Sequence, residues 1–280
     1  MILIADSGST KTDWRLIDAD KNIQQFSCDG ISPYFLNEEQ IVSLIDNQLQ
    51  DKFDFKKIEK LFYYGTGCSS PKQVELVKNA LQTNFKNAKI EVNHDLLAAA
   101  RAVCGKQNGM AAILGTGSNT CVFNGNEITH NQFSAGFILG DEGSGAHIGK
   151  TFIQNFLRDE LPKNILIKFE TEYKLSKYDI IEKVYKQPTP NRFLASFAKF
   201  VFQNKDDKFL NEMVKDCFVQ FFKTTICKYP DYKKMELGFV GSIANYYREI
   251  IIEVANSFEV KISKIIPSPI DELTQYHSQH

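Results

Sequence analysis

MILIADSGSTKTDW, residues 1–14, is the stretch from which the fold is read. Ile2–Ala5 is a short apolar run ending in Asp6-Ser7-Gly8, which predicts a buried strand running into a turn. Alternation resumes over Asp13–Asp18 around Trp14, Leu16 and Ile17, and a more polar third strand is expected over Asn22–Asp29. The three form a β-meander. The first turn is rich in small and hydroxyl residues, and Gly8 permits a tight bend and close approach of the backbone. Successive backbone N–H groups with Ser9, Thr10 and Thr12 can cradle phosphate oxygens, and Lys11 adds positive charge. Asp6, at the strand end, is placed to hold Mg2+ directly or through water. An ordinary hairpin capped by Asp and Ser uses the same residues, so this segment alone leaves both readings open.

Outward from this hairpin the elements alternate. Asn37 is an N-cap candidate with Gln40 three residues on, and Ile41, Leu44, Ile45 and Leu49 repeat at helical spacing. Lys60–Tyr64 reads as a strand ended by Gly65-Thr66-Gly67, and Pro71 suits the first turn of a helix to Phe85. Ile90–Val92 is a strand, and Leu96–Cys104 an alanine-rich helix. The pattern then restarts. Met110–Leu114 runs into a Gly-Thr-Gly turn, Thr120–Asn124 returns, Gly125-Asn126 turns again, and Glu127–His130 adds a third strand. Helix-rich sequence fills Glu142–Tyr229. A strand at Glu236–Val240, one helix from Ile243 to Phe258, a strand at Lys261–Ile265 and a short final helix follow. The reading is an α/β fold with mostly parallel sheets in two similar domains, residues 1–107 and 108–267, the second with a helical insertion.

Bulk properties exclude several classes. The 280 residues carry a net charge of −1, so nothing attracts nucleic acid or an anionic membrane over the whole surface. No basic leader or long apolar run is seen, and a cytoplasmic protein is expected. Six cysteines (Cys28, Cys68, Cys104, Cys121, Cys217, Cys227) include no CxxC pair and read as free thiols in a reducing compartment.

Further motifs carry chemistry. Gly115-Thr116-Gly117-Ser118-Asn119-Thr120 repeats the hydroxyl-rich hairpin in the second half, and two such loops facing each other would clamp a nucleotide tail. Gly238-Phe-Val-Gly241-Ser242-Ile-Ala-Asn245 ends a strand and opens a helix, where small residues let a purine approach the backbone; simple strand–helix packing reads equally well. Asp95 can accept a hydroxyl proton as that hydroxyl attacks a γ-phosphate, or can merely cap its helix. Asp141, in Gly140-Asp141-Glu142-Gly143-Ser144, can bind sugar hydroxyls. Gly145-Ala-His-Ile-Gly149-Lys150-Thr151 imitates a Walker A loop, but three residues separate its glycines where four are required, and it lies within a helix; Lys150 is read as a solvated helix residue. His94, His130 and His147 lack metal-ligand spacing and read as surface or satisfied core histidines.

Asp6–Trp14, Ile113–Thr120 and Gly238–Asn245 resemble the phosphate-1, phosphate-2 and adenosine motifs of the actin/hexokinase/Hsp70 superfamily. Asp95, Gly115–Asn119 and Gly140–Ser144, in this order, resemble the N-acetylglucosamine kinases of the BadF-type ATPase family over nearly the whole chain. The resemblance implies two ribonuclease-H-like (actin-like ATPase) domains flanking a nucleotide cleft, with residues 268–280 returning to the first. It implies ATP and Mg2+ as cofactors and a small sugar as partner, with no nucleic acid or membrane, and a homodimer. Asp95 would be the base for the sugar 6-hydroxyl. Gly8, Ser9, Thr10, Lys11, Thr12, Gly115, Thr116 and Gly117 would bind ATP phosphates, Gly241 and Ser242 adenosine, Asp6 the metal, and Ser32, Ser118, Asn119 and Asp141 the sugar. Two departures bear on the sugar: Gly30-Ile31-Ser32-Pro33-Tyr34 stands where these kinases often carry Asn, and Phe137 replaces a tryptophan. A rival within the same fold is an ATPase that activates a dehydratase or reductase, holding an iron–sulfur cluster across a dimer; Cys104 and Cys121 are its nearest candidates. A nucleotide-binding regulator without catalysis and a kinase for another hexosamine are the remaining alternatives.

Overall fold

The computed structural model describes residues 1–8 and 10–278. The chain divides into two compact units, one of Met1–Lys106 together with the segment from Pro269, the other of Gln107–Ser268.

In the first unit the elements are β1 (Ile2–Ser7), β2 (Lys11–Ile17), β3 (Ile23–Asp29), α1 (Glu38–Leu49), β4 (Lys60–Gly65), α2 (Pro71–Asn84), β5 (Lys89–His94) and α3 (Asp95–Cys104). The sheet order is β3-β2-β1-β4-β5. The meander strands pair antiparallel, whereas β1, β4 and β5 pair parallel. The expectation of mostly parallel sheets is therefore corrected. Tight turns can only join antiparallel neighbours, and the helical crossovers come later in the chain. Period-2 alternation sends Leu3 and Ala5 to one face of the sheet, among Ile41, Ile45 and Leu81 of α1 and α2, and Ile4 to the other, against Ala98 of α3. Helix α1 begins with a capping box in which Asn37 Oδ1 accepts from Gln40 N (2.9 Å) and Gln40 Oε1 accepts from Asn37 N (2.9 Å). Pro71 occupies the first turn of α2.

The second unit repeats the plan. Strands β6 (Asn108–Leu114), β7 (Ser118–Asn124) and β8 (Ile128–Asn131) form the meander, and β9 (Leu237–Val240) and β10 (Ile262–Ile266) the parallel side, in the order β10-β9-β6-β7-β8. The helical insertion holds α4 (Gly136–Leu139), α5 (Gly145–Leu157), α6 (Lys163–Tyr173), α7 (Lys177–Lys186), α8 (Pro190–Gln203) and α9 (Lys208–Thr224). The Walker-like segment lies in α5, where its glycines serve packing. A Cβ at Gly149 would stand 1.8 Å from the Leu194 carbonyl oxygen of α8, so only glycine lets the helices close to this distance. Lys150 is not solvated as expected. It is half-buried, and its Nζ donates to the Phe137 carbonyl at 3.0 Å, tying α5 to α4.

The single helix expected over Ile243–Phe258 is two, α10 (Ser242–Tyr246) and α11 (Arg248–Ser257). They break at Tyr247, whose ring is buried and whose hydroxyl donates to the Ala198 carbonyl at 3.0 Å. After β10 the chain returns to the first unit as α12 (Ile270–Ser278). Ile270 and Leu273 pack with Ile4 and Ile17, Arg15 pairs with Asp271 at 2.9 Å, and His277 Nε2 lies 2.8 Å from the Tyr64 hydroxyl. Arg101 of α3 also donates to that hydroxyl. Burial pushes the Tyr64 phenol up to about 12, against the pull of Arg101.

Candidate active site

The candidate residues fall into two groups, one per unit. In the first, Gly8 N donates to Lys11 O at 2.9 Å and closes the β1–β2 hairpin. Thr10 and Lys11 are exposed, and Lys11 Nζ meets Asp13 at 2.7 Å. Ser9 lies outside the described residues. Thr12 faces inward. It is fully buried, its hydroxyl 2.7 Å from that of Ser7 and donating to the Asp29 carbonyl at 3.2 Å. Its side chain thus shapes the hairpin from behind. Asp6 is half-buried and directly opposite Asp13 in the β1–β2 register. A divalent cation that keeps most of its water needs only one or two such carboxylates beside phosphate oxygens, and these hard donors fit Mg2+.

Asp95 is the first residue of α3 and not its cap. The cap is His94, whose Nδ1 accepts from Leu96 N at 2.9 Å. An Nδ1 that accepts there has no proton to give, so the 3.3 Å approach of His94 Nδ1 to Asp95 Oδ1 is not a hydrogen bond in that tautomer. The half-exposed carboxylate remains presented at the C-terminal edge of the parallel strands, where ligands of α/β sheets bind. Ser32 is 2% exposed, and its carbonyl accepts from Phe35 N and Leu36 N, both at 3.0 Å.

In the second unit, the β6–β7 hairpin rests on α5: Gly145 N donates to Gly115 O at 2.8 Å and Ala146 N to Thr116 O at 3.0 Å. Thr116 is exposed. Asp141 holds φ +57°, a left-handed conformation that aspartate tolerates better than most residues. From there its Oδ1 accepts from Ser118 N at 3.2 Å. Its Oδ2 lies where a Cβ on Gly117 would come within 2.9 Å, so glycine at 117 is what admits the carboxylate. Burial pushes the Asp141 carboxyl above its ordinary range, opposed by the Ser118 N–H and reinforced by Glu142.

Ser118, Asn119 and Asp141 line one polar cavity of about 250 Å3. Gln132, Thr224 and Thr225 line it as well, and sequence reasoning did not single them out. The available signal was the polar run after β8 and the Thr-Thr pair at the end of a helix. Tyr229 braces the wall, its hydroxyl accepting from Gln132 N at 3.0 Å and lying 2.8 Å from Thr120 Oγ1. His147 is a satisfied core histidine whose Nδ1 accepts from Gly143 N at 3.1 Å; burial lowers its pKa. Gly241, at φ +125°, abuts the Leu114 carbonyl, and Ser242 is exposed at the start of α10.

The six cysteines are reduced, and Cys121 is fully buried. Among the described residues no three His, Cys, Asp or Glu side chains converge to hold a metal, and no helix is long and apolar enough to cross a membrane.

Neither a protein-family model nor a curated protein matches the chain. Among solved structures, 100% of it is similar to 99% of a proposed N-acetylglucosamine kinase from Porphyromonas gingivalis, with 38% identity and a TM-score of 0.94. It is similar at 13% identity and a TM-score of 0.67 to a proposed N-acetylglucosamine kinase from Chromobacterium violaceum, covering 98% of each chain. A ROK family glucokinase from Streptomyces griseus, solved with glucose and AMPPNP, aligns at 13% identity and a TM-score of 0.56 over 99% of this chain and 98% of its own. The last two carry the fold alone, that of the actin-like ATPases. The first supports a sugar kinase function.

Proposed function

The chain belongs to the N-acetylglucosamine kinase-like family of the actin-like ATPase superfamily, and from that premise we propose that it transfers the γ-phosphate of ATP to the 6-hydroxyl of N-acetylglucosamine or a close hexosamine. The observation that carries this reading is the polar cavity beside the second hairpin, where Ser118, Asn119 and Asp141 stand together with amide and hydroxyl side chains. Such a lining suits a small polyhydroxyl substrate, because each sugar hydroxyl needs a donor or acceptor once it leaves water.

The assignment of roles follows. Thr10, Lys11 and the backbone of Gly8, with Gly115, Thr116 and Gly117, take the ATP phosphates. Gly241 and Ser242 take adenosine. Asp95 accepts the proton of the 6-hydroxyl as its oxygen bonds to the γ-phosphorus and the bond to the β-phosphate oxygen breaks, releasing ADP. Asp6 would hold Mg2+, which when bound offsets charge developing on the phosphoryl oxygens. The activator reading is disfavoured by Cys121, since a cluster shared across a dimer needs its thiols at the surface and this one is fully buried. We place the protein among BadF-type kinases of the cytoplasm, acting in amino-sugar metabolism as a homodimer.

A coupled ADP-release assay with ATP–Mg2+ against N-acetylglucosamine, N-acetylmannosamine, glucosamine, glucose and no sugar tests the proposal. Strong stimulation by one amino sugar is expected; slow hydrolysis indifferent to sugar would sink it. Asp95→Asn should then lose roughly 10²–10⁴ in kcat with KM little changed.

A further inference from the structure

The parallel side of the second sheet ends in β10, which pairs with β9 alone. Its other edge turns main-chain N–H and C=O groups outward, and among the described residues no strand adds to it. Helix α11 supplies a second wall beside this edge. Arg248, Ile252 and Asn256, spaced four apart, form one stripe of the helix, and with residues 261–265 they line a groove of about 480 Å3. A groove with an edge strand on one side and a helix on the other suits an extended segment. Such a segment continues the ladder with its backbone and lays alternate side chains against the helix.

The ends and the charge of this groove are defined. At one end Arg248 crosses from helix to strand, its guanidinium donating to the Ile265 carbonyl at 2.7 Å and to Asn245 Oδ1 at 3.4 Å. Between Ile265 and Lys261 three residues of the edge remain, about 10 Å of strand. Arg248, Lys261 and Lys264 line the groove, and no carboxylate does. The acids of α11 are drawn elsewhere, Glu249 lying 3.8 Å from Lys205 and Glu253 pairing with Lys215. Lys261 meets Glu236, yet its side chain stays 77% exposed. On a chain of net charge −1 this is a local concentration of positive charge. Ile252, midway along the stripe, is 39% exposed, and Ile262 and Ile265 add apolar surface.

We propose that this groove docks an extended acidic segment of a partner protein, which adds as a strand to β10 with acidic side chains beside Lys261 and Lys264 and an apolar side chain against Ile252. Charge decides the occupant. A second copy of β10 would bring lysines to lysines across the ladder, which disfavours self-pairing, whereas alternating acidic and apolar residues complement both features of the lining. None of these residues lines the polar cavity, so the inference stands apart from the choice of sugar.

The test is fluorescence anisotropy of the full chain with a labelled peptide of about eight residues alternating Glu and Val. Saturable binding is expected with a Kd on the order of 10 μM, weakening as salt rises. Lys261→Glu and Ile252→Glu, both at exposed positions, should each weaken binding about tenfold or more while thermal melts show the fold intact. N-methylation of alternate peptide bonds keeps the charge and removes the ladder, and should abolish binding. A peptide that does not bind, or one that binds regardless of N-methylation or of both substitutions, overturns the proposal. So does tighter binding of a single-stranded oligonucleotide of the same charge, which would make this a nucleic-acid site.

Discussion

The β1–β2 and β6–β7 hairpins occupy equivalent places in sheets of the same order, and they are held by different means. The first is fastened by side chains, through the Ser7 and Thr12 hydroxyls and the Asp29 carbonyl. The second is fastened by backbone, with Gly115 O and Thr116 O capped by the first N–H groups of α5, and by Asp141 reaching into a space that glycine leaves open. A hairpin fastened by side chains is adjustable one residue at a time. A hairpin resting on a helix moves only if the helix moves, so its tolerance is set at a distance, where α5 packs on α8.

The sharpest way to break this contrast is Gly149→Ala. Helix propensity alone favours alanine by about 1 kcal/mol. The 1.8 Å overlap with the Leu194 carbonyl should reverse that sign and cost about 3 kcal/mol, with loss of activity as α5 withdraws from the second hairpin. Urea titration reads the sign, and a stabilised variant would show that α5 is not held as described.

Asp141→Asn comes next. Folding raises this carboxyl above its reference value of 3.8, so the folded state holds the proton more firmly. The stabilisation from protonation is complete below about pH 3.8 and is lost as pH rises through the folded value, leaving the ionised group unfavourable to the fold at neutral pH. Asparagine keeps an acceptor for Ser118 N–H without that charge. The variant should be at least as stable as wild type at pH 7, with the difference shrinking toward pH 4, while turnover falls about tenfold or more. Melting temperatures across this range, beside the ADP assay, check both arms.

The smallest effect belongs to the first hairpin. Thr12→Val removes one hydroxyl from a buried pair and should cost about 1 kcal/mol of stability, with kcat changed little. A large fall in kcat without loss of stability would return Thr12 to direct phosphate contact.

Much of this was legible in the sequence, and the exceptions have physical causes. The capping box of Asn37 and Gln40, Pro71 at a helix start and both Gly-rich hairpins are local signals whose geometry depends on few distant contacts. The inward turn of Thr12 was also legible by parity, since Thr12, Trp14 and Leu16 share a strand face and the latter two are plainly core. The break at Tyr247 was not, because no glycine or proline marks it and its cause is a carbonyl on α8. Lys150 looked solvated because its partner, the Phe137 carbonyl, sits in the four-residue helix α4, which nothing local predicts. Ser32 reads as a sugar ligand because it stands where the resembled kinases often carry Asn, and its enclosure comes from a folded-back turn that closes on its carbonyl. Of the cavity, Ser118, Asn119 and Asp141 could be named through the family resemblance, whereas Thr224 and Thr225 arrive from the end of a helix far along the chain.

The return of α12 to the first unit has a consequence for how the protein is made. During synthesis residues 1–106 emerge before the helix that covers Ile4, Ile17 and Tyr64, and at 5–20 residues per second the intervening chain delays it by on the order of ten seconds or more. For that interval α3 alone covers this face of the sheet, and the apolar strip over β1 and β2 beside it stays open on the ribosome. A nascent chain stalled before Pro269 is thus expected to recruit chaperones through its N-terminal half, though the missing residues are at the other end.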